Sequence, residues 1–331
     1  MSFDVPVLLL TWRRPDTTRQ VLESLRPIAP SKLYVASDGP RNSLEAKAVQ
    51  ETRDLILEFV NWPCNLQTRF CLENQGCQLG VSSAITWFFE QVEAGIVLED
   101  DCVPHPDFFP YCQELLNYYE HDTRIWCISG DNFQAGLLRG EGSYYFSRYP
   151  HCWGWASWRR CWTQYGEHQK VWGCLSNSEA LQKTIFEDPL ERRYWMSAWK
   201  TLFETGIPDS WAFRWSLVCM ANSGLTVLPN KNLVTNVGFG VDATHTKDSS
   251  QSINSEGFTG NLIHPTLILR HSLADSYSFM HHFGGISYQR SISFRKRWLY
   301  RLKLFINKPL YYPKKISKKA LQALLLRKLF S

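Results

Sequence analysis

The chain has 331 residues, enough to bury a large core in one large domain or two smaller ones. Its 44% hydrophobic and 20% charged composition is typical of a globular protein and excludes general disorder. The net charge of +5 conceals an acidic body, with 23 basic against 31 acidic residues in 1–289, and a basic tail, 290–331, a distribution that argues against a nucleic-acid-binding fold.

The first hundred residues alternate between strand-like and helix-like patterns. Short apolar runs predict strands, and the stretches between them carry apolar residues at helical spacing. Asp16 is expected to cap the first helix. The predicted order is strand VPVLLL, helix PDTTRQVLESL, strand KLYVASDGP, helix LEAKAVQETRDLILEFV, strand QTRFCL, helix LGVSSAITWFFEQVEAG and strand GIVLEDD. Strands that alternate with helices pack as a mostly parallel twisted sheet flanked by helices, so the predicted fold class is α/β.

Polar side chains stand at the ends of three predicted strands, at 11–14 (TWRR), 37–38 (SD) and 99–101 (EDD). In a parallel sheet, ligands bind at the carboxyl ends of the strands, so we expect these side chains to converge on one crevice. Taken alone, the triplet at 99–101 is as well explained by a solvated turn. A carboxylate cluster repels a diphosphate unless a hard cation such as Mg²⁺ or Mn²⁺ bridges them. Convergence therefore predicts a metal and phosphate site.

Two single residues at these strand ends allow two interpretations each. Arg14 could pair with a diphosphate, or it could be a surface arginine before Pro15. Asp38 could accept a hydrogen bond from a nucleobase N–H, or it could cap the turn that Gly39 and Pro40 indicate.

Four segments occur in an order that resembles a known family: TWRRPDTTRQVLESL, SDGP, ENQGCQLGVSSA and VLEDDCVPHPDFF. They resemble the nucleotide-diphosphosugar transferases of the GT-A fold, and most of all the family 2-like branch that contains N-acetylglucosaminyltransferase I. In that branch an E-D-D triplet followed by a Pro-Asp-Phe-Phe helix serves as the D-x-D motif. The resemblance covers residues 4–135 and continues more weakly through YPHCWGWASW and PDSWAFRW.

The resemblance implies a metal-dependent glycosyltransferase that moves a sugar from a nucleotide-diphosphosugar, UDP-linked, to a saccharide or lipid-linked acceptor. It implies that Asp38 contacts the uracil, Arg14 the donor phosphates and Asp100 the ribose. Glu99 would face the donor sugar, and Asp101 would ligate Mn²⁺ or Mg²⁺. It also implies one large domain, with a nucleotide-sugar-binding half at 1–130 and an acceptor and base half at 131–289.

An inverting transferase needs a general base that deprotonates the acceptor hydroxyl. In the resembling family this base is a carboxylate that comes well after the D-x-D strand. Asp209 is our choice because IPDSWAFRW places it between a proline and an aromatic helix start, although it could simply cap that helix. The carboxylates between 180 and 215 are Glu187, Asp188, Glu191, Glu204 and Asp209.

Two further residues are candidates in the second half. His245 lies in a Gly-rich stretch and could supply a last metal ligand, as a C-terminal histidine often does in GT-A transferases, or it could be a solvated loop residue. Trp155, beside Gly154, could stack on an acceptor sugar, although most of the 14 tryptophans are expected in the core.

Two other functions stay open at this stage. A nucleotidyltransferase that makes sugar nucleotides would need a Gly-rich phosphate loop after the first strand, and TWRRPD contains no glycine. A non-catalytic module that binds a nucleotide-sugar on the same scaffold is the second alternative.

The tail, 290–331, sets Phe294, Trp298, Leu302 and Phe305 at spacings of three and four among basic residues. This pattern is typical of a helix that lies in an anionic membrane interface, or of one that packs its apolar stripe on the domain. The scattered cysteines indicate reduced thiols, and the N-terminus lacks a signal-peptide pattern. We therefore expect a cytoplasmic protein that is peripheral on the inner face of the membrane.

Overall fold

The computed structural model describes residues 3–238, 254–258 and 260–294. Residues Met1–Phe283 form one compact unit and Gly284–Ser331 form a second, in which 285–294 are helical. The strands are β1 Val7–Thr11, β2 Lys32–Ser37, β3 Asn65–Phe70, β4 Ala94–Glu99, β5 Cys102–Pro104, β6 Ile125–Ser129, β7 Tyr144–Ser147, β8 Trp155–Trp158, β9 Leu225–Pro229 and β10 Val234–Asn236. The helices are α1 Pro15–Leu25, α2 Ser43–Phe59, α3 Gly76–Gln91, α4 Phe108–Tyr118, α5 Arg159–Trp162, α6 His168–Ser176, α7 Glu179–Ile185, α8 Pro189–Thr205, α9 Trp211–Ala221 and α10 Ser272–His281.

Eight of these strands form one sheet in the order β3-β2-β1-β4-β8-β6-β9-β7. β3, β2, β1 and β4 are parallel neighbours, as are β6 and β9, whereas β8 runs antiparallel between β4 and β6 and β7 runs antiparallel to β9. Every residue of β1 is buried, which requires cover on both faces of the sheet. The α/β prediction is confirmed, and the predicted order of elements up to β4 is confirmed with it.

Helix α1 shows how the sequence positions Arg14. Pro15 occupies the first helical position, where its missing N–H costs nothing, so the cap position falls on Arg14. The Arg14 carbonyl accepts hydrogen bonds from the Thr18 N–H at 3.0 Å and from its hydroxyl at 2.7 Å. The expectation that Asp16 caps this helix is wrong, because Asp16 lies within the first turn.

A two-stranded sheet joins the end of β4 to the second half of the chain. β5 pairs antiparallel with β10, and Cys102 lies opposite Asn236. The Val237 N–H donates to the backbone carbonyl of Asp101 at 2.8 Å. This pairing brings 236–238 beside the acidic tip of β4.

No helix within the described ranges combines the length and the apolarity that crossing a membrane requires. The predicted tail begins inside the second unit, and Phe294 is 66% exposed there. Trp298 and the rest of the predicted interfacial segment lie outside the described residues.

Two histidines pack among aromatic rings beside α10. His282 stacks on Phe133 with ring centroids 3.7 Å apart, and His151 lies 5.3 Å from His282 by the same measure. Burial lowers the pKa of His151 well below 6.5 and that of His282 to about 4. Both imidazoles are therefore neutral in the folded protein near pH 6.

These neutral histidines predict a loss of stability in acid. Below pH 6.5 the unfolded chain binds protons at His282 that the folded chain does not bind, so the free energy of unfolding falls as the pH drops from 6.5 towards 4. The loss attributable to His282 is about 3 kcal/mol at most. Urea unfolding gives the free energy of unfolding at each pH for the wild type and for His282→Phe, which keeps the ring stack. The difference between the two pH profiles measures the contribution of His282.

The variant is needed because burial also raises the pKa of Asp131 and Glu191, and those carboxyls have the opposite effect on the slope. Parallel profiles for the wild type and His282→Phe between pH 4 and 6.5 would contradict the prediction.

Candidate functional site

A cleft of about 410 Å³ lies at the carboxyl ends of the parallel strands. The tips of β1, β2 and β4 all line it, through 11–14, 37–38 and 99–101. The sequence-based prediction that these three polar strand ends converge is therefore confirmed. Gly76 and Cys77, at the start of α3, and Asp209 also line it.

Arg14 is the cation that two carboxylates of this tip share. Its Nη2 is hydrogen-bonded to Oδ1 of Asp100, and its Nη1 lies 2.9 Å from Oδ2 of Asp101. The backbone N–H of Trp12 donates to the other oxygen of Asp100 at 3.3 Å. Burial raises the pKa of Asp100, and Arg14 opposes that rise. Although burial lowers the pKa of Arg14, the two carboxylates raise it more, so the guanidinium stays charged.

Glu99 is the third acid of the tip and is half-buried. Burial raises its pKa above 4.5, and the neighbouring charges of Asp101 and Asp100 raise it further, against the opposing effect of Arg14. Glu99 thus holds a proton more readily than a free glutamate does. A protonated carboxyl can donate a hydrogen bond to a ligand hydroxyl as well as accept one.

Asp38 lines the cleft, and both oxygens of its carboxylate accept hydrogen bonds from neighbouring groups. One oxygen accepts the N–H groups of Gly39, at 2.8 Å, and Gln75, at 2.9 Å. The other accepts from the Asn74 side-chain amide at 2.9 Å. Burial is the main cause that raises its pKa, and these backbone bonds act against it. Asp38 therefore holds the turn after β2 against the loop before α3, as the turn-capping interpretation predicts.

Asp209 lines the same cleft. It does not cap α9, since Ser210 occupies that cap position. Instead its Oδ2 accepts the Cys77 N–H at 2.9 Å and its Oδ1 accepts the Gln78 N–H at 3.1 Å, both in the first turn of α3. Asp209 therefore ties the segment before α9 to the N-terminus of α3.

The other four candidate bases lie outside the cleft lining and have partners of their own. Asp188 caps α8, Glu191 is buried against Tyr149, Glu187 pairs with Arg270 and Glu204 pairs with Lys200. Of the five carboxylates that the sequence offered between 180 and 215, Asp209 alone faces the cleft.

Trp155 does not face the cleft, and its prediction as an acceptor-stacking ring is wrong for this structure. It is 1% exposed and stacks on Trp211 with centroids 5.6 Å apart. The reason is that β8 lies between β4 and β6, with both faces covered. Trp153, two residues earlier, lines the cleft instead, and its backbone N–H donates to the buried carboxylate of Asp131 at 3.0 Å.

The residues that could hold a metal ion are the carboxylates of the β4 tip. Their oxygens are the hard donors that Mg²⁺ and Mn²⁺ prefer, and the bound guanidinium of Arg14 shows that Asp100 and Asp101 accept a cation. Within the described part of the chain, no group of three or more His, Cys, Asp or Glu side chains is arranged to hold a metal by itself. His245 lies outside the described residues.

Gly238 lies against the side chain of Asp101, a contact that no local sequence pattern predicts. A Cβ built on Gly238 would lie 2.0 Å from Oδ2 of Asp101, so only glycine fits there. Trp12 is a second residue of the cleft that the sequence did not single out. Its indole N–H donates to the Gly39 carbonyl at 2.9 Å, and the guanidinium groups of Arg13 and Arg41 each lie 4.6 Å from the centroid of its ring. The presence of a glycine at 238, shortly after NLVTN, is the sequence feature that agrees with the contact between Gly238 and Asp101.

No protein-family model matches this chain, and no curated protein matches it. A cytidylyltransferase from Leptospira borgpetersenii serovar Hardjo-bovis shares 10% identity over 50% of this chain and 64% of its own, less than two thirds, with a TM-score of 0.33. Mouse xyloside xylosyltransferase 1 shares 9% over 66% and 81%, with a TM-score of 0.33. The glycosyltransferase GlyE of Streptococcus pneumoniae TIGR4 shares 12% over 95% and 67%, with a TM-score of 0.31. These neighbours are nucleotidyl- and glycosyltransferases, but at such TM-scores the similarity carries no argument for this chain's function.

Proposed function

We propose that this protein is a glycosyltransferase of the GT-A type, in the branch that contains N-acetylglucosaminyltransferase I, and that it uses a UDP-linked sugar donor. One observation carries the proposal. The three segments that resemble the family motifs, at 11–14, 37–38 and 99–101, line one cleft at the carboxyl ends of parallel strands. Ligands of open α/β sheets bind at this edge.

The donor would lie along the tips of β1, β2 and β4. Arg14 would bind its phosphates, because a guanidinium fork matches phosphate oxygens. Asp100 would face the ribose and Glu99 the donor sugar. Asp38 would act at the uracil end by holding the wall that the base contacts, since its own oxygens already accept N–H groups.

A divalent cation, Mn²⁺ or Mg²⁺, would be held by Asp101, with His245 as a further candidate ligand. When bound, it would stabilise the charge of the leaving diphosphate. Such cations usually keep few protein ligands and take phosphate oxygens as the rest, which fits a tip that offers too few side chains for a complete site.

Asp209 would remove the proton from the acceptor hydroxyl in an inverting transfer. It is the candidate carboxylate that lines the cleft together with the acidic tip of β4. Its two oxygens are positioned by the N–H groups of Cys77 and Gln78.

The experiment that tests the function is a donor hydrolysis and transfer assay on the full chain. A panel of UDP- and GDP-sugars is incubated with Mn²⁺, with and without EDTA. We expect a UDP-sugar to be hydrolysed slowly, and EDTA to stop the reaction. Release of pyrophosphate from UTP and a sugar phosphate would indicate a nucleotidyltransferase, and donor binding without turnover would indicate a non-catalytic module.

Trp153 would contact the acceptor in place of Trp155. We expect Trp153→Ala to lower transfer to acceptor while leaving donor hydrolysis nearly unchanged, and to cost less stability than Trp155→Ala because Trp153 is only partly buried. Trp155→Ala should instead cost about 3–5 kcal/mol of stability, because it empties a buried ring position. Urea unfolding and both rates separate the two variants. Equal destabilisation by both, with no specific loss of transfer, would count against an acceptor role for Trp153.

The tail, 290–331, would hold the enzyme on an anionic membrane surface on the cytoplasmic side, near a lipid-linked or other membrane-borne acceptor. Each Lys or Arg near such a surface contributes about 1 kcal/mol. We expect the full chain to co-sediment with anionic vesicles at low salt and to be released at high salt, and a 1–289 truncation to stay in the supernatant. Full-length protein in the supernatant at low salt would exclude the tail as an anchor.

A further inference from the structure

Arg14 binds the same oxygens that a cation would need. Its two terminal nitrogens contact Oδ1 of Asp100 and Oδ2 of Asp101, the second at 2.9 Å. The carboxylates are well shielded, with side chains 5% and 13% exposed, while the arginine is 22% exposed. A guanidinium and a divalent cation cannot both occupy these oxygens at full contact, since their positive charges repel each other and repulsion is strong where water is scarce.

The other arginines that line this cleft are engaged elsewhere. Arg41 forms a paired contact with Glu45, and Arg13 lies 3.6 Å from the same carboxylate. Arg69 donates to the Ser83 hydroxyl at 3.1 Å. Among the arginines of the described cleft wall, Arg14 is therefore the one that forms ion pairs with Asp100 and Asp101 at the tip of β4.

The backbone of Arg14 is fixed while its side chain lies in the open cleft. The Arg14 carbonyl is held by Thr18, and Pro15 starts α1 directly after it. A change of partner would thus need rotation of side-chain bonds only. A diphosphate in the cleft is the natural second partner, because phosphate oxygens bind a guanidinium through two parallel hydrogen bonds.

We propose that Arg14 couples cation binding to diphosphate binding. Without ligand, the guanidinium occupies Asp100 and Asp101 and opposes a divalent cation. When the diphosphate enters, the Arg14 guanidinium would move to the phosphate oxygens and leave Asp100 and Asp101 free to bind the cation. The phosphate oxygens would also supply ligands to the cation that the described side chains do not supply. The inference rests on the proposed function and specifies an order: the cleft takes the cation together with the nucleotide and takes it poorly alone.

The test measures Mn²⁺ affinity, from the electron paramagnetic resonance signal of free Mn²⁺, on the full chain with and without saturating UDP. In the wild type we expect UDP to tighten Mn²⁺ binding by roughly 5- to 150-fold, the usual range of a coupling between two sites. In Arg14→Gln we expect Mn²⁺ alone to bind about tenfold or more tightly than in the wild type, and UDP to add much less. Arg19→Gln removes an exposed positive charge on α1 that does not line the cleft, and it should behave as the wild type.

Arg14→Gln leaves two buried carboxylates without their cation and could fail to fold. The pair Asp100→Asn and Asp100→Asn/Arg14→Gln repeats the comparison with one buried charge fewer, and the double variant should again bind Mn²⁺ alone more tightly than the single one. Equal or weaker Mn²⁺ binding after loss of Arg14, in whichever background folds, would overturn the inference and leave the proposed function intact. A wild type that binds UDP but no Mn²⁺ would overturn the inference together with the metal dependence of the proposed function.

Discussion

Asp101→Asn is expected to abolish sugar transfer, with a loss of about 10³-fold or more. The cation that Asp101 would hold is worth several kcal/mol to the leaving diphosphate, and each 1.36 kcal/mol is tenfold in rate. The amide keeps the size of the carboxylate and removes its charge, and its remaining oxygen can still accept a hydrogen bond from the Arg14 guanidinium, which lies 2.9 Å from Oδ2 of Asp101. Transfer rates and UDP binding, each with Mn²⁺ and with EDTA, measure the effect.

The matched control is Asp16→Asn. Asp16 is exposed in the first turn of α1, two residues from Arg14, and does not line the cleft. It should transfer sugar at the wild-type rate. If Asp101→Asn is as active as the wild type, whether or not a chelator is present, the assignment of Asp101 to a metal is wrong.

Asp209→Asn is expected to lower turnover by roughly 10²–10⁴-fold while donor affinity stays near that of the wild type, which is the range for loss of a general base. The structure adds a second effect. Asn retains a single acceptor oxygen, so one of the N–H groups of Cys77 and Gln78 loses its partner, at a cost of about 1 kcal/mol of stability. Single-turnover rates and donor titrations, alongside urea unfolding, separate the two effects.

Glu204→Gln is the control for Asp209, because Glu204 is exposed on α8 and pairs with Lys200. It should change neither rate nor stability. A variant Asp209→Asn that loses stability but turns over normally would make the residue a cap of α3 alone. A collapse of donor affinity would make it a donor contact. A product that retains the donor's anomeric configuration would remove the need for this base.

The part of the cleft formed by the tips of β1, β2 and β4 could be predicted from the sequence because it depends on local patterns. Apolar runs predict the strands, helical spacing predicts α1 over Pro15–Leu25, and parallel strands place their carboxyl ends at one edge. Those three facts are sufficient to bring Arg14, Asp38 and Asp101 together.

The partners of Asp209 and the exchange of Trp155 for Trp153 could not be predicted, because they depend on contacts between distant residues. Asp209 meets the first turn of α3 from more than a hundred positions away along the chain. Whether Trp153 or Trp155 lines the cleft depends on where β8 begins and on its place between β4 and β6. The residues of β8 do not by themselves show that both faces of the strand are covered. Gly238 matters only because β10 pairs with β5.

The place of β8 in the sheet also bears on how the chain emerges from the ribosome. When β4 has been made, its outer edge has no partner until residues 155–158 follow, since Ile96 lies opposite Ala156 and Val97 opposite Trp155. An apolar strand edge left open invites pairing with another chain and aggregation. A fragment that stops at 130 would keep that edge permanently open, although it contains every donor contact named above. We therefore expect the fragment 1–130 to aggregate when it is expressed alone, whereas a chain that also carries β8 closes this edge of β4.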